Sequence, residues 1–276
     1  NPAPAGGVDA LSFAFNFADP IMGYEATGTG AGASWTAGAP GIPAAAANPL
    51  VTNALDDSDI VIAVTPRGPG VGVAVPPAPP VPPNFEIPIN PGSNIAAGDV
   101  VMVTDCSRAA ITQVTATGGG VLLSHAVGPG TPDNYKIDIG GPFGAGSEVF
   151  PIERVAYYVA NSPVTGRRAL FRNNQEIASD VEDLEVEYGV DINADLRIDQ
   201  YVDAATVGAV GIPGPPWEGV LATRVHLLLS SGEEDALAEQ PVAGLNYAGG
   251  TFNAPAGDRR LYQLFSATIS IRNRLQ

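Results

Sequence analysis

The stretch DLEVEYGVD, residues 183–191, sets the fold class, because Leu184, Val186, Tyr188 and Val190 alternate with Glu185, Glu187 and Gly189. A period of two puts alternate side chains on opposite faces of a strand, so it reads as half-buried β structure with apolar residues inward and the glutamates on the wet face. The same alternation recurs in DIVIAVT (59–65), GDVVMVTD (98–105), NYKIDIG (134–140), RVAYYVA (154–160), TRVHLLLS (223–230) and LYQLFSATISIR (261–272). Helical periodicity is almost absent, and turn residues separate the runs at irregular intervals. The expectation is a mainly β protein built of antiparallel sheets.

Around these runs the composition is uneven. The chain has 276 residues, 45% of them hydrophobic, which is enough for a substantial core. Gly (33) and Pro (26) are abundant, and sixteen of the prolines fall in the first hundred residues. The densest segment, VPPAPPVPPNFEIPINPG (75–92), is expected to be a stiff, extended surface loop, since each proline fixes φ and removes a donor. The formal charge is −16, and the basic residues are twelve Arg and Lys136 alone. Such a field repels phosphate backbones and anionic lipid, which argues against nucleic acid as a partner. The uncharged run around residues 26–55 is broken throughout by Gly, Pro, Thr and Asn, so no transmembrane segment is read there. The chain starts at Asn1 and shows no signal peptide, so a processed or truncated product is expected, with something missing upstream.

Three places invite chemistry. Asp191, Asn193, Asp195 and Asp199 follow the opening register of an oxygen-rich calcium loop. Leu196 stands where such a loop wants its glycine, and Val202 where it wants a bidentate carboxylate. A left-handed Leu costs about 1–2 kcal/mol, so a plain Asx-rich hairpin turn competes with the metal reading. Cys106, the single cysteine, is either a buried free thiol or half of a disulfide whose partner lies elsewhere. His125 and His226 fit no catalytic signature, and the glycines at 68, 70 and 72 miss the dinucleotide fingerprint because Val73 holds the third position and no helix follows. The acidic runs DDSD (56–59) and GEEDALAEQ (232–240) read as solvated turns.

Taken in order, ADPIMGYEATG (18–28), SDIVIAV (58–64), GDVVMVTDCSRAAITQVT (98–115), VAYYVAN with GRRALFR (155–172), EIASDVEDLEVEYGVD (176–191), VLATRVHLLLSS (220–231) and LFSATISIRNRL (264–275) resemble the PilW family of type IV pilus minor pilins. The resemblance implies a single α+β pilin-like head over 1–276, related to the J-type pseudopilin. Residues 1–97 would be its Pro/Gly-rich, loop-bearing part and 98–276 its main sheet region. It implies a non-enzymatic structural subunit that primes a type IV pilus at the filament tip. The subunit would be anchored in the inner membrane by an N-terminal helix before assembly, then exposed on the extracellular pilus. Its partners would be other minor pilins, the major pilin and a tip adhesin, with roles in adhesion and twitching motility. The resemblance also implies that Cys106 pairs with a cysteine outside this chain. It places Asp191, Asn193, Asp195 and Asp199 on the family's acidic positions, with Ala194 and Leu196 where the family has glycine. The alternative reading is a secreted, calcium-dependent binding or adhesion module that uses the same four residues to hold Ca2+.

Overall fold

The computed structural model describes residues 17, 19–26, 50–74, 86–127, 134, 139, 143–233, 236–239 and 244–271. Its strands are β1 (Ile21–Tyr24), β2 (Ile60–Pro66), β3 (Val71–Gly72), β4 (Glu86–Pro88), β5 (Val100–Thr104), β6 (Ala109–Gln113), β7 (Ala116–Thr117), β8 (Leu122–Ser124) and β9 (Glu148–Asn161). They continue with β10 (Arg168–Arg172), β11 (Gln175–Ser179), β12 (Val181–Val190), β13 (Gln200–Val202), β14 (Val220–Ser230), β15 (Leu245–Tyr247), β16 (Gly250–Phe252) and β17 (Tyr262–Ser270). Among the described residues, the helical elements are one turn, α1 (Ala204–Val207), and a 3-10 turn at Pro216–Gly219. The paired strands run antiparallel, so the expected mainly β, antiparallel class holds. No described helix is long and apolar enough to cross a membrane.

The chain divides into two compact units, one of residues 1–18 and 64–154, the other of 19–63 and 155–276. In the first, β5 pairs with β6 and with the opening residues of β9, while β4, β8 and β7 form a small three-stranded sheet. Its core gathers Val73, Ile87, Ile89, Val101, Val103, Leu123 and Val149. Here one expectation is corrected. The Pro-rich segment is not all surface loop: β4 lies in it, with Ile87 and Ile89 buried, because the spacing Ile-Pro-Ile turns both isoleucines to one face and the intervening Pro88 is tolerated in a short strand. Residues 75–85 lie outside the described set, as does most of the run at 134–140.

In the second unit, β12 and β14 pair from Val181↔Leu229 to Val190↔Val220, and β14 and β17 from Ala222↔Ser270 to Ser230↔Tyr262. The sheet order is β13-β12-β14-β17. Leu184, Val186, Tyr188 and Val190 are buried as the alternation requires. Tyr188 meets Trp217 edge to face, ring centroids 5.0 Å apart, and this Trp is delivered by the 3-10 turn. The expected wet face of β12 is only partly wet. Glu185 and Glu187 are half-buried, and the Tyr247 hydroxyl of the β15–β16 hairpin donates to Asp183 Oδ2 at 2.6 Å. The hairpin thus closes over a face that local alternation alone would leave to solvent.

Candidate functional site

The edge of β12 that faces away from β14 is taken by β13 only from Tyr188 to Val190. The rest is satisfied by the DDSD segment. Asp59 N–H donates to the Leu184 carbonyl, the Ser58 hydroxyl donates to that same carbonyl and accepts from Leu184 N–H, and Asp59 Oδ2 accepts from Val186 N–H at 2.9 Å. The other Asp59 oxygen accepts from Ala26 N–H at 2.9 Å, just past the end of β1. Ser58 and Asp59 are therefore buried, which corrects the reading of residues 56–59 as a solvated turn. The cause is backbone satisfaction: an orphan sheet edge takes up side-chain donors and acceptors when no further strand covers it.

This docking brings three carboxylates together. One oxygen each of Glu25, Asp59 and Glu185 lies within 4.8 Å of the others, and this is the grouping of its kind among the described residues. Glu25 Oε2 accepts from Ala204 N–H at 3.2 Å, at the start of α1, whose cap is Asp203. Burial, with Asp203 next in weight, pushes the Glu25 carboxyl up to about 7. Burial first, then the charge of neighbouring carboxylates, also holds Asp59 and Glu185 well above the ordinary carboxylate range. Glu185 additionally lines a cleft of about 500 Å³ shared with Asp57, Arg168, Asp183, Tyr247 and Arg260. None of Glu25, Asp59 or Glu185 was singled out from sequence. The signal available was the isolated Gly23 inside an apolar run, a mark of close approach by another group.

The 191–199 loop is folded on its own donors. Asp191 accepts from the N–H groups of Asn193 (3.1 Å), Asp195 (3.3 Å) and Leu196 (2.8 Å). Burial raises its pKa, and these N–H donors together with that of Ala194 outweigh burial and bring it below the ordinary value. Asn193 Oδ1 accepts from Asp195 N–H, Asp195 Oδ1 from Arg197 N–H, and Asp199 Oδ2 from Ile192 N–H. Ala194 and Leu196 adopt φ of 61° and 63°, the left-handed conformation that glycine would take without strain. The loop joins β12 to β13 as a hairpin, and the four named oxygen-bearing residues surround one turn.

Cys106 sits at the β5–β6 turn with φ of 68° and is exposed, which rules out the buried-thiol reading. Asp105 fixes this turn by accepting from Ser107 N–H, Ser107 Oγ, Arg108 N–H and Arg108 Nε. Of the histidines, His125 is buried with an unpartnered Nδ1. His226 lies between Ser266 Oγ (2.7 Å from Nδ1) and Glu187 Oε2 (3.1 Å from Nε2). The chain of Ser, His and Glu has the connectivity of a hydrolase triad, but Ser266 is mid-strand, within pairing that runs unbroken from Tyr262 to Ser270. A nucleophile needs a turn or helix N-terminus to gather N–H donors around the developing oxyanion. In a flat ladder these three residues act as a cross-strand bridge tying β12, β14 and β17. The pairing Arg224 Nη1 to Glu187 Oε2 at 3.1 Å extends it.

No curated protein and no solved structure matches the chain. Residues 156–273, which run from the second half of β9 past the end of β17, match the family model PilW, type IV pilus-assembly protein W, in support of the resemblance carried by the sequence segments.

Proposed function

We propose that the chain is the head of a minor pilin, a non-enzymatic structural subunit that helps prime and cap a type IV pilus. The observation that carries this reading is the family match over residues 156–273, the segment that builds the β13-β12-β14-β17 sheet. The geometry supports docking as the mode of action. Strand β17 ends the sheet order, and Phe265 (49%) and Ile269 (57%) are exposed on it two turns of the pleat apart. An edge strand bearing exposed apolar side chains is a ready surface for strand addition or packing by a neighbouring subunit. On this reading the neighbours are other minor pilins, the major pilin and a tip adhesin, the membrane is reached through a helix outside the given sequence, and Cys106 pairs with a cysteine there. The test is replacement of the native copy by Phe265→Asp and Ile269→Asp variants that melt as the parent does. Surface pili should fall sharply in number. Unchanged piliation in both variants and in a full deletion would overturn the proposal.

A second reading is a secreted calcium-dependent binding or adhesion module. It is favoured by the left-handed Leu196, which already stands in the conformation that calcium loops assign to their sixth residue. It requires binding activity that is abolished by chelator and by Asp195→Ala. Activity indifferent to both would remove it.

A further inference from the structure

Glu25, Asp59 and Glu185 come from the end of β1, the approach to β2 and the middle of β12, and the arginines that share the cleft with Glu185 are paired with other groups. Arg168 is engaged with Asp57 Oδ2 at 2.6 Å and the Glu182 carbonyl at 2.8 Å, and Arg260 with Glu182 and Asp258. Among the described residues, Asp59 is held by two backbone N–H groups and Glu25 by one, while no donor to Glu185 is found. Three carboxylates grouped partly out of water repel one another, and the cost grows where hydrogen-bond donors are few.

A second feature points into the same place. The Tyr188 hydroxyl is fully buried and has no hydrogen-bond partner. It stands directly over Gly23, where a Cβ on that glycine would lie 1.9 Å from the oxygen. Gly23 on β1 and Glu25 just past its end are two residues apart, hence on one face, and continuing the register beyond Tyr24↔Ile60 brings Asp59 opposite Glu25. The orphan hydroxyl therefore lies on the side of that strand pair that carries Glu25 and Asp59, and it feels the charge of both.

We infer that Glu25, Asp59 and Glu185, with the Tyr188 hydroxyl on the side of Glu25 and Asp59, form a binding site for a hard divalent cation such as calcium, distinct from the 191–199 loop. The donors are oxygen only, which selects hard cations over zinc or copper. The three oxygens lie within 4.8 Å of one another, close enough to share one ion. The cleft lined by Glu185 gives the ion a way in from solvent. Bound there, it ties β1, the segment before β2 and the middle of β12 to one centre.

The experiment titrates calcium alone into the chelator-stripped full chain, by calorimetry and by terbium luminescence excited through tryptophan. Trp217, whose ring centroid lies 5.0 Å from that of Tyr188, serves as the sensitiser. Calcium should bind and displace terbium in the parent and in Asp195→Ala. Glu185→Gln and Glu25→Gln, which keep the size of the neutral acid and should fold, should each weaken binding at least tenfold. The inference is overturned if millimolar calcium gives no binding signal in the parent, if both Gln variants bind as the parent does, or if binding disappears only in Asp195→Ala.

Discussion

Gly23→Ala is the smallest change that should damage the second unit badly. The added methyl would stand 1.9 Å from Tyr188 Oη, 2.6 Å from Cζ and 3.0 Å from Cε2, all inside contact distance. The ring cannot step aside, because Tyr188 is 1% exposed and its far side is braced by Trp217 at 5.0 Å. Overpacking of a fixed core typically costs about 1–3 kcal/mol, and with the hydroxyl oxygen and one ring carbon under 3.0 Å the upper end, about 3 kcal/mol, is expected. For a unit of this size that is a fall in Tm of about 6–12 °C by circular dichroism. Tyr188→Phe removes only the nearest atom and leaves Cζ in place, so Gly23→Ala should remain costly in that background. In a Tyr188→Leu background the clash is gone, and most of the Gly23→Ala penalty should vanish, a coupling readable in a double-mutant cycle. A Gly23→Ala protein melting within 2 °C of the parent would refute the close approach of β1 and Tyr188, and with it the placement of the hydroxyl over Glu25.

Three further outcomes are open to the same measurements. His125 is buried, and burial lowers its pKa, so the folded state binds its proton less tightly than the unfolded chain. The first unit should then lose stability as pH falls below the unfolded value of about 6.5, by at most about 1.4 kcal/mol per pH unit, and His125→Leu should flatten that acid limb in urea titrations. Ala194→Gly relieves a left-handed φ of 61° at an exposed position, so it should raise stability by about 0.5–1 kcal/mol once the entropy of glycine in the unfolded chain is subtracted; a loss would mean the strain is absent. Arg260→Met removes bonds to Glu182 Oε1 (2.5 Å) and Asp258 Oδ2 (2.8 Å), both mostly shielded, and should cost about 2 kcal/mol in denaturant unfolding; an unchanged midpoint would assign no stabilising role to that knot.

How legible the molecule was depends on the length of each pattern. β12, β14 and β17 each carry nine to eleven residues, long enough to be read as strands, and Leu184, Val186, Tyr188 and Val190 pack as read, whereas β17 forms where expected but leaves Phe265 and Ile269 exposed. β3 and β7 have two residues and β15 and β16 three, too short for any period, and they exist because partners align them. β4 was hidden by its prolines. The carboxylate centre was illegible for a different reason. Alternation assigns Glu185 to solvent, and DDSD looks like a turn, because both rules are local. What buries them is contact between Asp59 and Val186, 127 residues apart, and a hairpin that closes from Tyr247 onto Asp183. The 191–199 register was plain in the sequence, yet the left-handed Ala194 and Leu196 were not, since neither residue type favours that conformation.

The most direct measurement is quantitative mass spectrometry of filaments sheared from the surface of the native organism, counting peptides of this chain against those of the major subunit. The account predicts that peptides from residues 156–273 co-purify with filaments at a small, fixed ratio to the major subunit, and that deleting the chain lowers filament number. Peptides found only in the medium, with filament number unchanged by the deletion, would contradict it.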